Sequence, residues 1–118
     1  MNSKKEVEEF AKSFVGFVRD EAIRECDMNA RKGVSNPIAR RWQALGISDE
    51  AFRVLIPDII DEAVSAFFRA IDQDVLRLKY VSAAGREIDL NDESEGEFEG
   101  WYGGEWRGVF SRERYNEP

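Results

Sequence analysis

The spacing of apolar residues changes once along this chain, and that change restricts the fold more than any other feature. Up to Ile71, apolar side chains recur every three or four positions, which is the period of a helix with one buried face. From Val75 onward they alternate with polar side chains, which is the period of a strand. The pattern predicts an α+β fold in which a helical layer comes first and a β-hairpin follows.

The first helix is predicted to be long. Ser3 followed by Glu6 is typical of a capping box, and Gly33 is a C-terminal stop signal. The buried stripe is expected to contain Val7, Phe10, Phe14, Phe17 or Val18, Ala22 and Cys26. Charges of opposite sign four positions apart predict ion pairs on the outer face, namely Lys5–Glu9, Glu8–Lys12, Asp20–Arg24 and Asp27–Arg31.

Three shorter helical segments are expected next. Asn36, followed by a proline, predicts the start of a short helix that Gly46 ends, and Ser48 opens a brief turn. Pro57 is predicted to start a fourth helix, which is apolar on one side. Asp61 would then lie in the first turn of that helix, where the helix dipole favours acids and where charged residues are usually on the surface.

The hairpin is predicted between Val75 and Leu90, with its turn at residues 82–85. Beyond it, residues 94–102 are expected to form one acidic helix. Ser111 is expected to cap a final turn that reaches Tyr115.

Composition restricts the chemistry. The 118 residues fit one domain, predicted to span residues 1–118. The chain has no histidine and one cysteine, which excludes Ser-His and Cys-His nucleophile pairs, imidazole metal sites and an internal disulfide. Cys26 lies between two acids that disfavour a thiolate, so it is expected to be a small buried side chain. No phosphate-cradling glycine motif is present.

One stretch resembles the start of a calcium-binding loop. Asp89, Asn91 and Glu93 occupy alternate positions, but Ser94 and Gly100 stand where an EF-hand needs glycine and glutamate. We therefore predict no metal site, no cofactor and no catalytic residue, and a protein that is not an enzyme.

The charge is uneven. The formal net charge is -7, and residues 91–118 hold 3 bases against 8 acids. Such a field repels nucleic acid. The basic residues Arg31, Lys32, Arg40 and Arg41 are expected to pair with the acidic C-terminal segment of the same or another subunit. No apolar run is long enough to span a membrane, so a soluble protein of the cytoplasm is expected.

Several short motifs are spread over most of the chain. They are Arg24-Glu25-Cys26-Asp27, residues 56–62, Gly96-Glu97 with Gly100-Trp101-Tyr102, and Trp106-Arg107 leading into residues 111–115. In these motifs the chain resembles a group of small bacterial proteins of unassigned function. The resemblance implies a bacterial, cytosolic, single-domain protein, and it carries over no ligand, cofactor or catalytic residue.

The most distinctive segment is Asn91–Trp106, which combines six carboxylates and four glycines with Trp101, Tyr102 and Trp106 and contains no base. We predict that it binds a protein partner with a basic surface, as an acidic adaptor or inhibitor of the immunity type. The candidate partner-binding residues are Trp101, Tyr102, Trp106, Arg107, Glu95, Glu97 and Glu99. The aromatic residues could equally complete the core.

Two alternatives remain open at this stage. One is a small-molecule or metal pocket between the fourth helix and the C-terminal segment, with Glu97, Tyr102 and Arg107 as its polar groups. The other is a homo-oligomer in which the hairpin pairs across a two-fold axis.

Overall fold

A computed structural model describes residues 3–118 of the chain. Its helices and strands, in chain order, are α1 (Lys4–Phe14), a π-helical turn (Val15–Arg19), α2 (Asp20–Ala30), α3 (Pro37–Ala44), α4 (Asp49–Asp72), β1 (Lys79–Val81), β2 (Glu87–Asp89), α5 (Leu90–Ser94), α6 (Phe98–Trp101), a second π-helical turn (Tyr102–Trp106) and α7 (Arg107–Phe110). The predicted α+β class, with helices before a hairpin, is confirmed.

The long first helix is confirmed, but its buried stripe differs from the prediction. The amide of Asp20 bonds to the carbonyl of Val15, five residues back, which adds one residue to that turn. The extra residue leaves Phe17 81% exposed and Val18 49% exposed, while Arg19 is fully buried. The expected inner position at Phe17 or Val18 is therefore wrong, because the π-helical turn changes the register after Val15.

The predicted capping box at the start of this helix is also wrong. Ser3 makes no side-chain cap, and its hydroxyl accepts a hydrogen bond from Arg86 on the hairpin. Glu6 forms an ion pair with Arg86 at 2.9 Å. Both side chains turn toward the hairpin because its guanidinium gives them a charge-assisted bond.

None of the four ion pairs predicted along this helix forms among the described residues. Asp20 pairs with Arg19, and Asp27 pairs with Arg114 of the C-terminal tail at 2.8 Å. Glu9 accepts a hydrogen bond from the Tyr80 hydroxyl at 2.5 Å. Asp27 and Glu9 thus bond to residues far along the chain. A partly buried hydrogen bond of this kind contributes more to stability than an exposed ion pair on one helix.

Helix α3 begins as predicted, because the Asn36 side chain accepts a hydrogen bond from the amide of Ala39. The prediction that Pro57 starts a helix is wrong, since α4 is a single helix with Pro57 inside it. An internal proline leaves the carbonyl four residues earlier without its usual donor. Arg114 supplies that donor to the Arg53 carbonyl at 3.0 Å. The C-terminal tail thus compensates for the break in the helix.

The hairpin is confirmed, with strands of three residues each. Lys79 pairs with Asp89, and Val81 pairs with Glu87, in antiparallel register. Gly85 closes the turn with φ +84°. The ring of Tyr80 packs on Phe10 of α1, so the hairpin lies against the helices.

The helices after the hairpin differ from both predictions. Helix α5 ends at Glu95 and Gly96, which have φ of +47° and +76°. The next helical run, from α6 through the second π-helical turn to α7, starts at Phe98, so the single helix predicted over residues 94–102 is wrong. Asp72 of α4 accepts hydrogen bonds from the amides of Phe98 and Glu99 and so caps this run. The predicted cap at Ser111 is wrong too, because residues 111–118 contain no helix.

The helices form two layers. Phe14 stacks on Phe67 and Arg19 bonds to Asp61, so the α1–α2 helix and α4 run antiparallel as a helix pair. Helices α5 to α7 and the hairpin pack across one side of that pair. The core between the layers contains Val7, Phe10, Ala11, Val15, Val64, Phe68, Ile71, Ile88, Leu90, Phe98, Tyr102 and Trp106.

Candidate functional site

Two features stand out between the helix pair and the C-terminal segment: a buried polar cluster and an acidic groove. The polar cluster consists of Arg19, Asp20, Asp61, Tyr102, Arg107 and Ser111. Arg19 is its centre and donates five hydrogen bonds, which uses every N–H of its guanidinium. Two go to Asp61, and one each goes to Asp20, to Ser111 and to the Arg114 carbonyl.

Asp61 is saturated in the same way. Its Oδ1 accepts from Arg19 Nε at 2.9 Å and from the Tyr102 hydroxyl at 2.5 Å. Its Oδ2 accepts from Arg19 at 3.3 Å and from Arg107 at 2.9 Å. A carboxylate has about four lone-pair positions, so no further donor is needed.

The protonation states follow from these contacts. Burial alone raises the pKa of Asp61, but hydrogen bonds from Arg19 and Tyr102, with the charges of Arg19 and Arg107, hold it below its ordinary value. Burial and the hydrogen bond to Asp61 raise the pKa of Tyr102 well above its ordinary value. At neutral pH Asp61 is therefore a carboxylate, Tyr102 is a neutral phenol and Arg19 is a charged guanidinium.

The cluster is built by both π-helical turns. Arg19 ends the first turn, Tyr102 begins the second, and Arg107 follows it. The prediction that Asp61 lies on the surface is wrong, since it is 8% exposed in the middle of α4. Arg19 and Asp61 use all of their hydrogen-bonding positions within the cluster, which fixes the C-terminal segment to the helix pair. Arg107 Nε, by contrast, is buried without a hydrogen-bond partner among the described residues.

The acidic groove lies on the other edge of the C-terminal segment, against the start of α1. It is an open depression of about 400 Å³ lined by Lys4, Val7, Glu8, Glu93, Glu95, Trp101, Glu105, Trp106 and Phe110. Three of the lining side chains are aromatic and four are carboxylates. Its lining residues come from α1, from α5 and the residue after it, and from the helical run that extends from α6 through the second π-helical turn to α7.

The candidate partner-binding residues divide among three places. Trp101, Trp106 and Glu95 line the acidic groove, with Trp101 36% exposed and Trp106 4% exposed. Tyr102, at 1% exposed, and Arg107 belong to the polar cluster, so they are not surface anchors.

The remaining two candidates are carboxylates. Glu97 is exposed and does not line the groove. Glu99 forms an ion pair with Arg69 of α4 at 2.6 Å, which ties α6 to α4. The groove therefore contains part of the predicted set.

Sequence reasoning missed the contribution of α1. Val7 and Glu8 line the groove, although they are more than 80 positions away from the acidic segment. Glu8 follows Val7, which lies on the buried face of α1. The sequence alone does not show that the C-terminal segment folds back beside Glu8. The sequence shows that Glu93 and Glu105 are acids of the segment. It does not show that both line the same groove as Trp101.

The small-molecule alternative named Glu97, Tyr102 and Arg107 as polar groups of one pocket. Tyr102 and Arg107 both donate hydrogen bonds to Asp61 of α4. Glu97 lies apart from them, exposed on the surface.

The other candidates from the sequence have local uses. Asp89 caps α5 by accepting from the amides of Asn91 and Asp92. Burial, Asp27 and Glu25 raise the pKa of Cys26, which disfavours its thiolate. Within residues 3–118 no group of three or more His, Cys, Asp or Glu side chains is placed to hold a metal ion.

The pairing of the basic residues with the acidic C-terminal segment does not form within residues 3–118 of one chain, and pairing with another subunit stays a prediction. Among the described residues, Arg31, Lys32, Arg40 and Arg41 form no ion pair, and Arg40 bonds to the Ser35 hydroxyl. Helix α3 and the end of α2 lie away from the acidic segment, which instead folds back onto α1 and α4.

Comparison with known proteins gives no relative. No protein-family model, curated protein or solved structure matches the chain. In the part of the chain that the structure describes, no helix is both long enough and apolar enough to cross a bilayer.

Proposed function

We propose that this protein is a non-enzymatic binding module of the cytoplasm, and that its acidic groove takes an arginine or lysine side chain from a basic segment of a partner protein. In this role it acts as an adaptor or an inhibitor. The observation that carries the proposal is the partly exposed ring of Trp101 beside carboxylates that have no partner among residues 3–118.

The groove carboxylates are unpaired in the described structure. Glu93, Glu95 and Glu105 accept no side-chain hydrogen bond and form no ion pair within 4 Å among residues 3–118. By contrast, Glu99 on the same segment and Asp61 beneath it are both paired. Unpaired acids close together produce a negative potential that attracts a cationic partner.

Trp101 adds a surface for the cation itself. Its ring packs on Phe98 at 5.8 Å and on Trp106 at 5.9 Å between centroids, so the core holds one part of the ring while the other part faces solvent. A guanidinium or ammonium group over an indole face gains about 0.5–2 kcal/mol. Nearby carboxylates add charge-assisted hydrogen bonds.

The groove is held in shape without a ligand. Asp72 caps the helical run that carries Trp101 and also accepts a hydrogen bond from Ser94 at the end of α5. The polar cluster fixes Tyr102, the residue after Trp101, to α4. A preformed groove loses little conformational entropy when it binds a partner.

The polar cluster gives no support to an enzyme. Its buried carboxylate has four donors and its central guanidinium has five acceptors, so neither has a free position for a substrate. The pKa of Asp61 is lowered and that of Tyr102 is raised, which moves both away from neutral pH.

The test uses two hexapeptide libraries that differ at one central position, which is arginine in one and its neutral isostere citrulline in the other. We expect the arginine library to yield peptides that bind with micromolar affinity, more weakly as salt rises, and the citrulline library to yield none. Trp101→Ala should weaken the selected peptides at least tenfold. Glu95→Gln with Glu105→Gln should do the same.

A charge-matched control separates the groove from the overall charge. Glu25 and Glu62 are exposed, lie outside the groove and form no ion pair among the described residues. Replacing both by Gln changes the net charge equally and should leave peptide affinity within about twofold once screening is considered. Equal selection from both libraries, or equal loss in the control and groove variants, would refute the proposal.

A further inference from the structure

One side of the helix pair is not lined by any other element among residues 3–118. A groove of about 390 Å³ runs along it, and every residue that lines it belongs to α1, to the first π-helical turn, to α2 or to α4. These residues are Phe14, Val18, Arg19, Ala22, Ile60, Ala63, Val64 and Phe67. Arg19 is the one polar residue among them, and its guanidinium is turned into the polar cluster. We call this surface the apolar face.

Large apolar side chains stand exposed next to this groove. Phe17 is 81% exposed beside Val18, and Ile59 is 62% exposed beside Ile60. Leu55, one turn before Ile59, is 44% exposed. Phe17 lies at the midpoint of residues 4–30, and Ile59 lies near the midpoint of residues 49–72. Single exposed apolar residues are normal, but several of them near the centres of two paired helices, beside residues that line an apolar groove, are typical of an interface.

We propose that the apolar face is where two copies of this chain associate about a two-fold axis. An antiparallel helix pair with one bare apolar side is half of a four-helix bundle, and a second copy supplies a matching half. Phe17, which is 81% exposed, directly precedes Val18, and Val18 lines the groove together with Ala22 and Ala63. Such a knob and hole are self-complementary, so a two-fold axis lets each copy insert its ring into the other.

The available area is sufficient for a dimer of modest affinity. Fully exposed aromatic or branched side chains present about 150–250 Å² each, so the exposed parts of this face amount to roughly 500 Å² per copy. Two copies then bury roughly 1,000 Å², which is near the lower limit of specific interfaces. Since each copy carries a net charge of -7, their repulsion weakens the dimer at low salt.

Sedimentation equilibrium from micromolar to millimolar concentration, at low and high salt, tests this proposal. We expect the mass to rise toward twice that of one chain, at lower concentration when salt is high. This salt dependence is opposite to that expected for basic peptides at the acidic groove. Phe17→Asp should raise the dimer Kd roughly 100-fold, since both copies lose the ring.

Two further variants complete the test. Ile59→Lys, on the other helix of the face, should weaken the dimer as Phe17→Asp does, and far-ultraviolet circular dichroism checks that each variant is folded. Val75→Asp is the control, because Val75 is 71% exposed but lies beyond the end of α4; it should leave Kd within about threefold. A single-chain mass at millimolar concentration in both salts would overturn the proposal, and so would a dimer that tolerates a folded Phe17→Asp variant.

Discussion

Replacing Arg19 by methionine tests how the two layers are held together. Methionine keeps a long unbranched side chain in the helix but removes five hydrogen bonds and a buried positive charge. Asp20 and Asp61 then remain buried without their main partner. Breaking a buried ion pair in this way costs about 3–5 kcal/mol, which is a large part of the roughly 5–15 kcal/mol that stabilises a domain.

The assay is urea unfolding followed by circular dichroism, with the free energy of unfolding extrapolated to water. Arg24→Met is the matched control, because Arg24 is on the next turn of the same helix and bonds to Glu21 and Glu113 while exposed. We expect little change in the control and a much lower midpoint for Arg19→Met. Equal midpoints for the two variants would show that the polar cluster does not hold the layers, contrary to our reasoning.

Three further predictions concern single side chains. The folded pKa of Asp61 lies below its ordinary value of about 3.9, so its stabilising effect is present at neutral pH and is lost as the pH falls below about 4. In Asp61→Asn the free energy of unfolding, measured from pH 7 downward, should therefore depend less on pH in the acid range. An unchanged pH dependence would contradict the assignment. Trp106→Ala should lower the free energy of unfolding by about 3–5 kcal/mol and Trp101→Ala by less than half as much, since Trp106 is buried and Trp101 is 36% exposed. Thermal melts measure both effects, and similar decreases in stability would mean that both rings belong to the core. Arg114→Ala should cost about 1–2 kcal/mol and speed amide exchange in residues 111–118, because it frees the Arg53 carbonyl and Asp27; unchanged exchange would show that the tail is held elsewhere.

The parts of the fold that were predictable follow from local rules. Asn36 before a proline begins α3, and the alternation after Val75 gives the hairpin, because capping and strand period act over a few residues. The α+β class follows from the same periods.

The parts that were not predictable depend on distant partners. Pro57 lies inside α4 because the tail, far along the chain, supplies donors near the break. Arg19 is buried because a π-helical turn brings its side chain to Asp61. The sequence indicates this burial only through the apolar residues that precede the arginine. The acidic groove combines α1 with residues 93–110, so composition revealed its charge but not its shape.

Binding of a basic segment at the acidic groove can be detected directly through the tryptophan side chains. The chain has three tryptophans, and Trp42 packs on Phe52 between α3 and α4, outside the groove. Their indole N–H signals can be followed by nitrogen-15 correlated NMR while an arginine-centred peptide is added. We predict that the Trp101 signal shifts in a saturable way while the Trp42 signal stays in place. A shift of Trp42 without Trp101 would place the binding surface elsewhere and contradict the account.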